Sequence, residues 1–191
     1  MPLLGEIPAA PPAFFYPGEY RIEPARAAWQ RAGCHALRRD VFCREQGIFE
    51  TDDRDEIDEH CLLLAASSCL FGHADDVVGT VRIHQPEHGL WWGSRLAVKK
   101  PFRRIGGLGA ALIQLAVGTA KFHGAEIFLA HVQAQNRTMF EAMHWRVLDE
   151  KTIHGRPHFL MEAEVAAYLA IDGTALRVLP AIGPRPARVW P

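Results

Sequence analysis

The stretch Leu96-Ala97-Val98-Lys99-Lys100-Pro101-Phe102-Arg103-Arg104-Ile105-Gly106-Gly107-Leu108-Gly109 constrains this chain more than any other. An apolar run over 90–98 enters a glycine-rich turn. Beyond it Leu108, Leu112, Leu115, Thr119 and Phe122 share one helical face, and Gly124 supplies a stop. The spacing predicts a strand, a loop and a helix over 107–122. The first amides of a helix have no partner within it and point outward, and glycines let an anion approach them closely. Lys99, Lys100, Arg103 and Arg104 add four cationic groups to the same loop. The combination suits a polyphosphate ligand. A helix terminus contributes only about 0.3–1 kcal/mol per nearby charge, whereas micromolar affinity needs about 8 kcal/mol. Amide hydrogen bonds and a second contact surface must supply the rest. A glycine-rich turn with a solvated basic rim is the competing reading.

Two phosphate-binding patterns fit poorly. No Lys-Ser/Thr follows the glycines, as a Walker loop requires. A dinucleotide fingerprint starting at Gly107-Leu108-Gly109 would place its third glycine at Leu112, in a unit that falls mid-chain. A nucleotide-binding oxidoreductase is therefore disfavoured.

At 191 residues the chain is sized for one domain with short tails. Lys+Arg 21 against Asp+Glu 22 leaves a net charge of −1, so no basic field argues for nucleic acid. No apolar run reaches the ~20 residues of a membrane helix. The first basic residue is Arg21, unlike the charged start of a secretory signal. Cys34, Cys43, Cys61 and Cys69 form no C-x-x-C pair. The expectation is a cytoplasmic protein with reduced thiols and no membrane contact.

Residues 1–18 are Pro- and Ala-rich and read as an irregular arm. A strand at 19–24 precedes an amphipathic helix over 25–42. Strands follow at 61–70, 77–84 and 90–98, with a turn at 72–76, and then the helix over 107–122. Ile127–Gln133 reads as a central strand. Asn136 is a candidate N-cap for a short helix carrying Phe140 and Met143. Strands at 146–149 and 157–162 close the domain at 172, leaving a Pro- and Arg-containing tail over 173–191. The order implies a single α/β domain, a mixed central sheet flanked by helices.

Six segments, in order over about 19–165, resemble the GNAT (Gcn5-related) N-acyltransferase superfamily. Arg104, Gly107 and Gly109 match its Arg/Gln-x-x-Gly-x-Gly/Ala loop, and Gly93-Ser94-Arg95-Leu96-Ala97-Val98 resembles the strand before it, with one inserted Ser. Residues 37–47 with Asp55-Glu56-Ile57-Asp58 resemble the R-x-x-V-F-x-x-E-Q and D-E-x-D segments of one subgroup. Gly79-Thr80-Val81-Arg82, Asn136 through Trp145, and Gly155 through Met161 follow in register. The subgroup suggested is the bacterial acetyltransferases encoded beside nitrilases.

The resemblance implies acetyl-CoA, or another acyl-CoA, as co-substrate, held in a splayed cleft between the strands at 90–98 and 127–133. It implies that the backbone of Leu96, Ala97 and Val98 pairs with the pantetheine arm. Arg103, Arg104, Ile105, Gly106, Gly107, Leu108 and Gly109 would hold the pyrophosphate, with Asn136 and Phe140 beside the coenzyme. A small-molecule amine would attack the thioester directly, with a backbone amide near Val98 holding the oxyanion. Many relatives protonate the leaving thiolate with a Tyr; the aligned residue here is Phe140, which has no proton to give. His131 and His144 are the nearest replacements by sequence.

Glu45 and Asp58 are the candidate general bases, set against a solvated acidic loop over 50–59 that could instead draw in a cationic substrate. Arg82 and Arg95 are candidate substrate contacts, and equally candidates for a structural ion-pair network with Glu45 or Asp58. The His84/His88 and His154/His158 pairs have a metal-ligand spacing only on a helix, which Pro86 and Pro157 oppose, so no metal is expected. Trp91-Trp92 read as core or interface. The function expected is N-acetyl transfer to a small-molecule amine, with a homodimer allowed. The alternatives are a non-catalytic acyl-CoA-binding regulator and an acyl-homoserine-lactone-synthase-like acyltransferase.

Overall fold

The computed structural model describes residues 17–103 and 107–179. The expected irregular arm lies mostly outside these residues, as do Arg104, Ile105, Gly106 and the chain after 179.

Buried Gln30, Cys34, Leu37 and Arg38 recur at helical spacing and define the inner stripe of α1 (Ala28–Arg38). The Gln30 side chain accepts from the Ala27 amide at 3.0 Å and donates to Glu23, fixing the first turn onto β1 (Tyr20–Pro24). The expected helix to residue 42 continues past α1 as a π-helical stretch, Arg39–Glu45. β2 (Leu62–Leu70) and β3 (His73–Glu87) form a hairpin turned at Phe71 and Gly72, both with positive φ. The turn is thus tighter than the 72–76 expected from its Gly and Asp, because residues 73–76 belong to β3, with His73 and Ala74 paired onto β2.

β4 (Leu90–Val98), α2 (Leu108–Phe122) and β5 (Ile127–Gln133) stand where the periodicity places them. A short α3 (Arg137–Glu141) leads to the hairpin of β6 (Trp145–Ile153) and β7 (Arg156–Ala163). The Asn136 side chain makes no cap bond, contrary to expectation, because its backbone is already helical. β8 (Leu176–Val178) pairs with β1, so the sheet continues beyond residue 172 into the segment read as a tail.

Among the described residues eight strands lie in the order β6-β7-β5-β4-β3-β2-β1-β8, and only β4 and β5 are parallel. α2 covers one face with the main core, where Phe128, Ala130 and Val132 of β5 meet Leu108, Leu112 and Leu115. α1 covers β2, β3 and β4 on the other face over Leu37, Val41, Phe42, Ala65 and Ala97. On that second face α1 stops at β4, which leaves Trp92 and the β5 side chains beyond it open.

Candidate functional site at the parallel strand pair

β4 and β5 pair from Leu90↔Ile127 only as far as Gly93↔Ala130. Beyond that point β4 stays bonded to β3 up to Val98, and β5 stays bonded to β7 up to Gln133. The two arms diverge, and a slot opens between residues 94–98 and 131–133. A register shift in the β3–β4 ladder marks the divergence, with Arg95 at φ 55. This is a bulge, which bends and twists its strand. Leu96 and Val98 turn toward the α2 face and Ala97 toward the α1 face. The main chain of each arm presents amides and carbonyls to the slot, and such groups need a partner. An extended ligand carrying its own amides fits that requirement.

At the mouth of the slot, Gly107 (φ 99) turns the chain into α2. Among the described residues nothing lies within 4 Å of a Cβ built at Gly107 or at Gly109. Gly107 is needed for its left-handed backbone. Gly109 has no such need and no protein neighbour to avoid. Gly109 therefore borders open space beside the first turn of α2, whose amides have no partner within the helix. Phosphate binding thus fits these residues.

Arg103 reaches back to the end of β4 and to the π-helical stretch. Its Nε donates to the Val98 carbonyl at 2.8 Å. Its Nη1 and Nη2 donate to the two oxygens of Glu45 at 2.5 and 2.7 Å. The bond from Arg103 holds the Glu45 carboxyl below its ordinary range, against burial, which pushes it up. Asp58 lies in a separate network on the α1 face. Arg38 donates to Asp53 at 2.8 Å and to both oxygens of Asp58 at 2.5 and 2.9 Å. Arg82 donates to Asp55 at 2.5 and 3.0 Å, to Asp58 at 2.8 Å and to Ser94 at 3.0 Å. Arg95 adds Asp53 at 2.9 Å and Asp55 at 3.2 Å. Burial pushes the Asp58 carboxyl up, yet the guanidinium bonds outweigh it and hold the group far below the usual carboxylate range.

These contacts bear on two expectations. The Glu45 and Asp58 carboxylates are each paired with a guanidinium, which disfavours their taking a proton as general bases. Arg38 and Arg82 are 0% and 2% exposed and saturated with partners, so Arg82 acts as a structural ion-pair member. Asp53, Asp55 and Asp58 are paired with Arg38, Arg82 and Arg95, while Glu50, Asp52, Glu56 and Glu59 of the acidic run lie outside that network. Arg95 remains one-fifth exposed, with its guanidinium over the Phe49 ring at 4.7 Å.

His131 follows Ala130, the last β5 residue paired to β4, and so stands at the vertex of the slot on the open α1 face. Its ring packs against Trp92 at 5.2 Å between centroids. Burial, then the charges of Lys151 and His158, push its imidazole below the ordinary value. The shift favours the neutral imidazole, the form able to accept a proton. His84 faces Trp92 across the β3–β4 ladder. Phe140 is 5% exposed, packed edge-to-face on Trp145 at 4.9 Å, and Asn136 ends the turn that follows β5. His144 sits between α3 and β6, 3.8 Å from Glu164. His84 lies in a strand and His154 in a turn, and no group of three or more metal-ligating side chains occurs among the described residues.

Sequence reasoning missed Arg38, quoted only within a motif, and Trp92, read as core or interface. Period-2 alternation signals the latter: Trp91 enters the core and Trp92 faces the site.

A family model for the acetyltransferase (GNAT) family matches residues 32–144. The protein YyaT of Bacillus subtilis (strain 168) is 28% identical over 134 residues, covering 68% of this chain and 86% of that one. Among solved structures, a Lactobacillus plantarum protein assigned as an N-acetyltransferase superposes with a TM-score of 0.67 at 23% identity, over 75% of this chain and 97% of its own. An aminoglycoside 6′-N-acetyltransferase complexed with coenzyme A gives 0.60 at 14% identity, over 75% and 96%. At these identities the structural likenesses speak to the fold.

Proposed function

The chain belongs to the acetyltransferase (GNAT) family, and from that we propose that it is an acyl-CoA-dependent N-acyltransferase, moving an acetyl group from acetyl-CoA to a small-molecule amine. The divergence of β4 from β5 carries the reading, with the open glycine amides of α2 at its mouth. The arms offer backbone groups to the amides of a pantetheine chain through Leu96, Ala97 and Val98. Gly107, Leu108 and Gly109 offer helix-terminal amides to a diphosphate, with Arg103 beside them. A solved aminoglycoside acetyltransferase of similar fold holds coenzyme A, which supports the same ligand class here.

Acetyl-CoA supplies an activated thioester, and a neutral amine attacks it directly. His131 takes the proton that the amine nitrogen loses, since the nearby carboxylates are already paired. Trp92 and His84 wall the acceptor side. Phe140 gives no proton, so the departing thiolate takes the one held by the imidazolium at His131, directly or relayed through a water, and the base returns to neutral. Four free cysteines, each buried or half-buried, and the absence among the described residues of any helix long and apolar enough to cross a membrane support a cytoplasmic setting.

Phe140 also favours a second reading, a non-catalytic acyl-CoA sensor. A thiol-release assay with acetyl-CoA over a panel of small amines separates the two. Turnover with at least one amine supports the enzyme. Tight binding without thiol release over a broad panel supports the sensor.

A further inference from the structure

The π-helical stretch ends in two residues that each reach a different arm of the slot. Glu45 holds Arg103, which is bonded to the Val98 carbonyl at the end of β4. Gln46 accepts at its Oε1 from the Gln133 side chain at 3.0 Å, at the end of β5. Its main-chain carbonyl accepts from Arg156 of β7 at 2.6 Å. Residues 45 and 46 therefore bridge the diverging arms at their open end. The bridge uses up the two groups that an incoming coenzyme needs there. Arg103 is a cation of the glycine loop bonded to the end of β4, and the Val98 carbonyl is an acceptor on the arm itself.

We infer that Glu45 and Gln46 form a latch across the cleft, in which the Glu45 carboxylate holds Arg103 until a diphosphate takes its place. The inference rests on the acyl-CoA reading of the slot and adds a regulatory role within it. Opening exchanges one anion for another around Arg103. The bidentate carboxylate pair breaks, the guanidinium turns to the diphosphate, and the Val98 carbonyl is freed for a ligand amide. The exchange is feasible because both partners are about one-third exposed. Half-exposed pairs are weak enough to be displaced by a more highly charged anion, whereas the Arg38 network is not. Gln46 keeps the π-helical stretch on the β5 arm while Glu45 lets go of the β4 arm, so the latch opens at one end only. Glu45 is thus a positioning residue that opposes loading.

Removing the Glu45 charge should tighten coenzyme binding, whereas a purely supportive carboxylate would weaken it when lost. Calorimetric titration with acetyl-CoA should give about fivefold tighter binding for Glu45→Gln than for the unaltered protein, the size expected of an exposed pair. The same variant should bind acetyl-pantetheine no differently, because without a diphosphate nothing draws Arg103 off the Val98 carbonyl. In an Arg103→Gln background the Glu45→Gln gain should vanish, which a double-mutant cycle reads directly. Glutamine matches glutamate in shape, and a thermal melt verifies the fold. Equal or weaker acetyl-CoA binding by Glu45→Gln overturns the latch while leaving the acyl-CoA reading intact. A folded unaltered protein that binds no acyl-CoA overturns both.

Discussion

Arg38→Ala will cost roughly 3–5 kcal/mol of folding stability, the range for breaking a buried ion pair from one side. Arg38 is 0% exposed and bonds Asp53 and Asp58 together. Its removal leaves Asp53, 1% exposed, with Arg95 as its remaining cation, and Asp58 with Arg82. Asp53 Oδ1 already lacks a hydrogen-bond partner, so the network has no slack to absorb the loss. Urea unfolding at pH 7 reads the effect, and a cost below 1 kcal/mol would contradict it. The pH dependence is fixed in sign. Asp58 has a folded-state pKa depressed below its unfolded value of about 3.9. Its stabilisation is present above that value and is lost as pH falls through the lower folded one. The gap between the unaltered protein and Arg38→Ala should therefore narrow as the solution is acidified below about pH 4.

His131→Ala should lower kcat/KM by about 10²–10⁴, the usual contribution of a positioned acid–base group, while leaving acetyl-CoA affinity nearly unchanged. His131 stands at the vertex of the slot, and its side chain lies on the acceptor face rather than among the loop amides. In the unaltered protein kcat/KM should fall at acidic pH as the imidazole becomes protonated. The inflection belongs below the ordinary histidine value of 6.5, because burial and the charges of Lys151 and His158 disfavour the imidazolium. That limb should disappear in the variant. Activity within threefold of the unaltered protein, with the acidic limb retained, would move the proton transfer to another group.

Much of the fold was legible because it is written in local periodicity. β5 is read from its alternation and α2 from its apolar stripe, and the glycine turn between β4 and α2 announces itself. What stayed hidden depends on partners distant in the chain. Residues 73–76 look like a turn by composition, yet the β2 ladder draws them into β3. Nothing around Leu176 marks a three-residue strand; the free edge of β1 creates it. The site divides the same way. Its loop glycines are local, whereas Glu45 meets Arg103 across 58 positions and Arg82 meets Asp55 across 27. A sequence shows such carboxylates as candidate bases, and only the fold shows their charge already spent. Phe140 was legible as a missing proton donor, but its burial on Trp145 required the core.

Calorimetric titration of acetyl-CoA into the unaltered protein, beside Gly107→Glu, tests the acyl-CoA site most directly. Gly107→Ala serves as the control that carries the same backbone strain at φ 99 without the charge. The account predicts one site of about micromolar affinity, modestly weakened by alanine. The glutamate carboxylate, facing a diphosphate in partly water-free surroundings, should weaken it by about a hundredfold or more. A folded, unaltered protein that takes up neither acetyl-CoA nor a longer acyl-CoA, or a glutamate variant that binds as well as the alanine control, would contradict the account and leave the glycine loop as a turn.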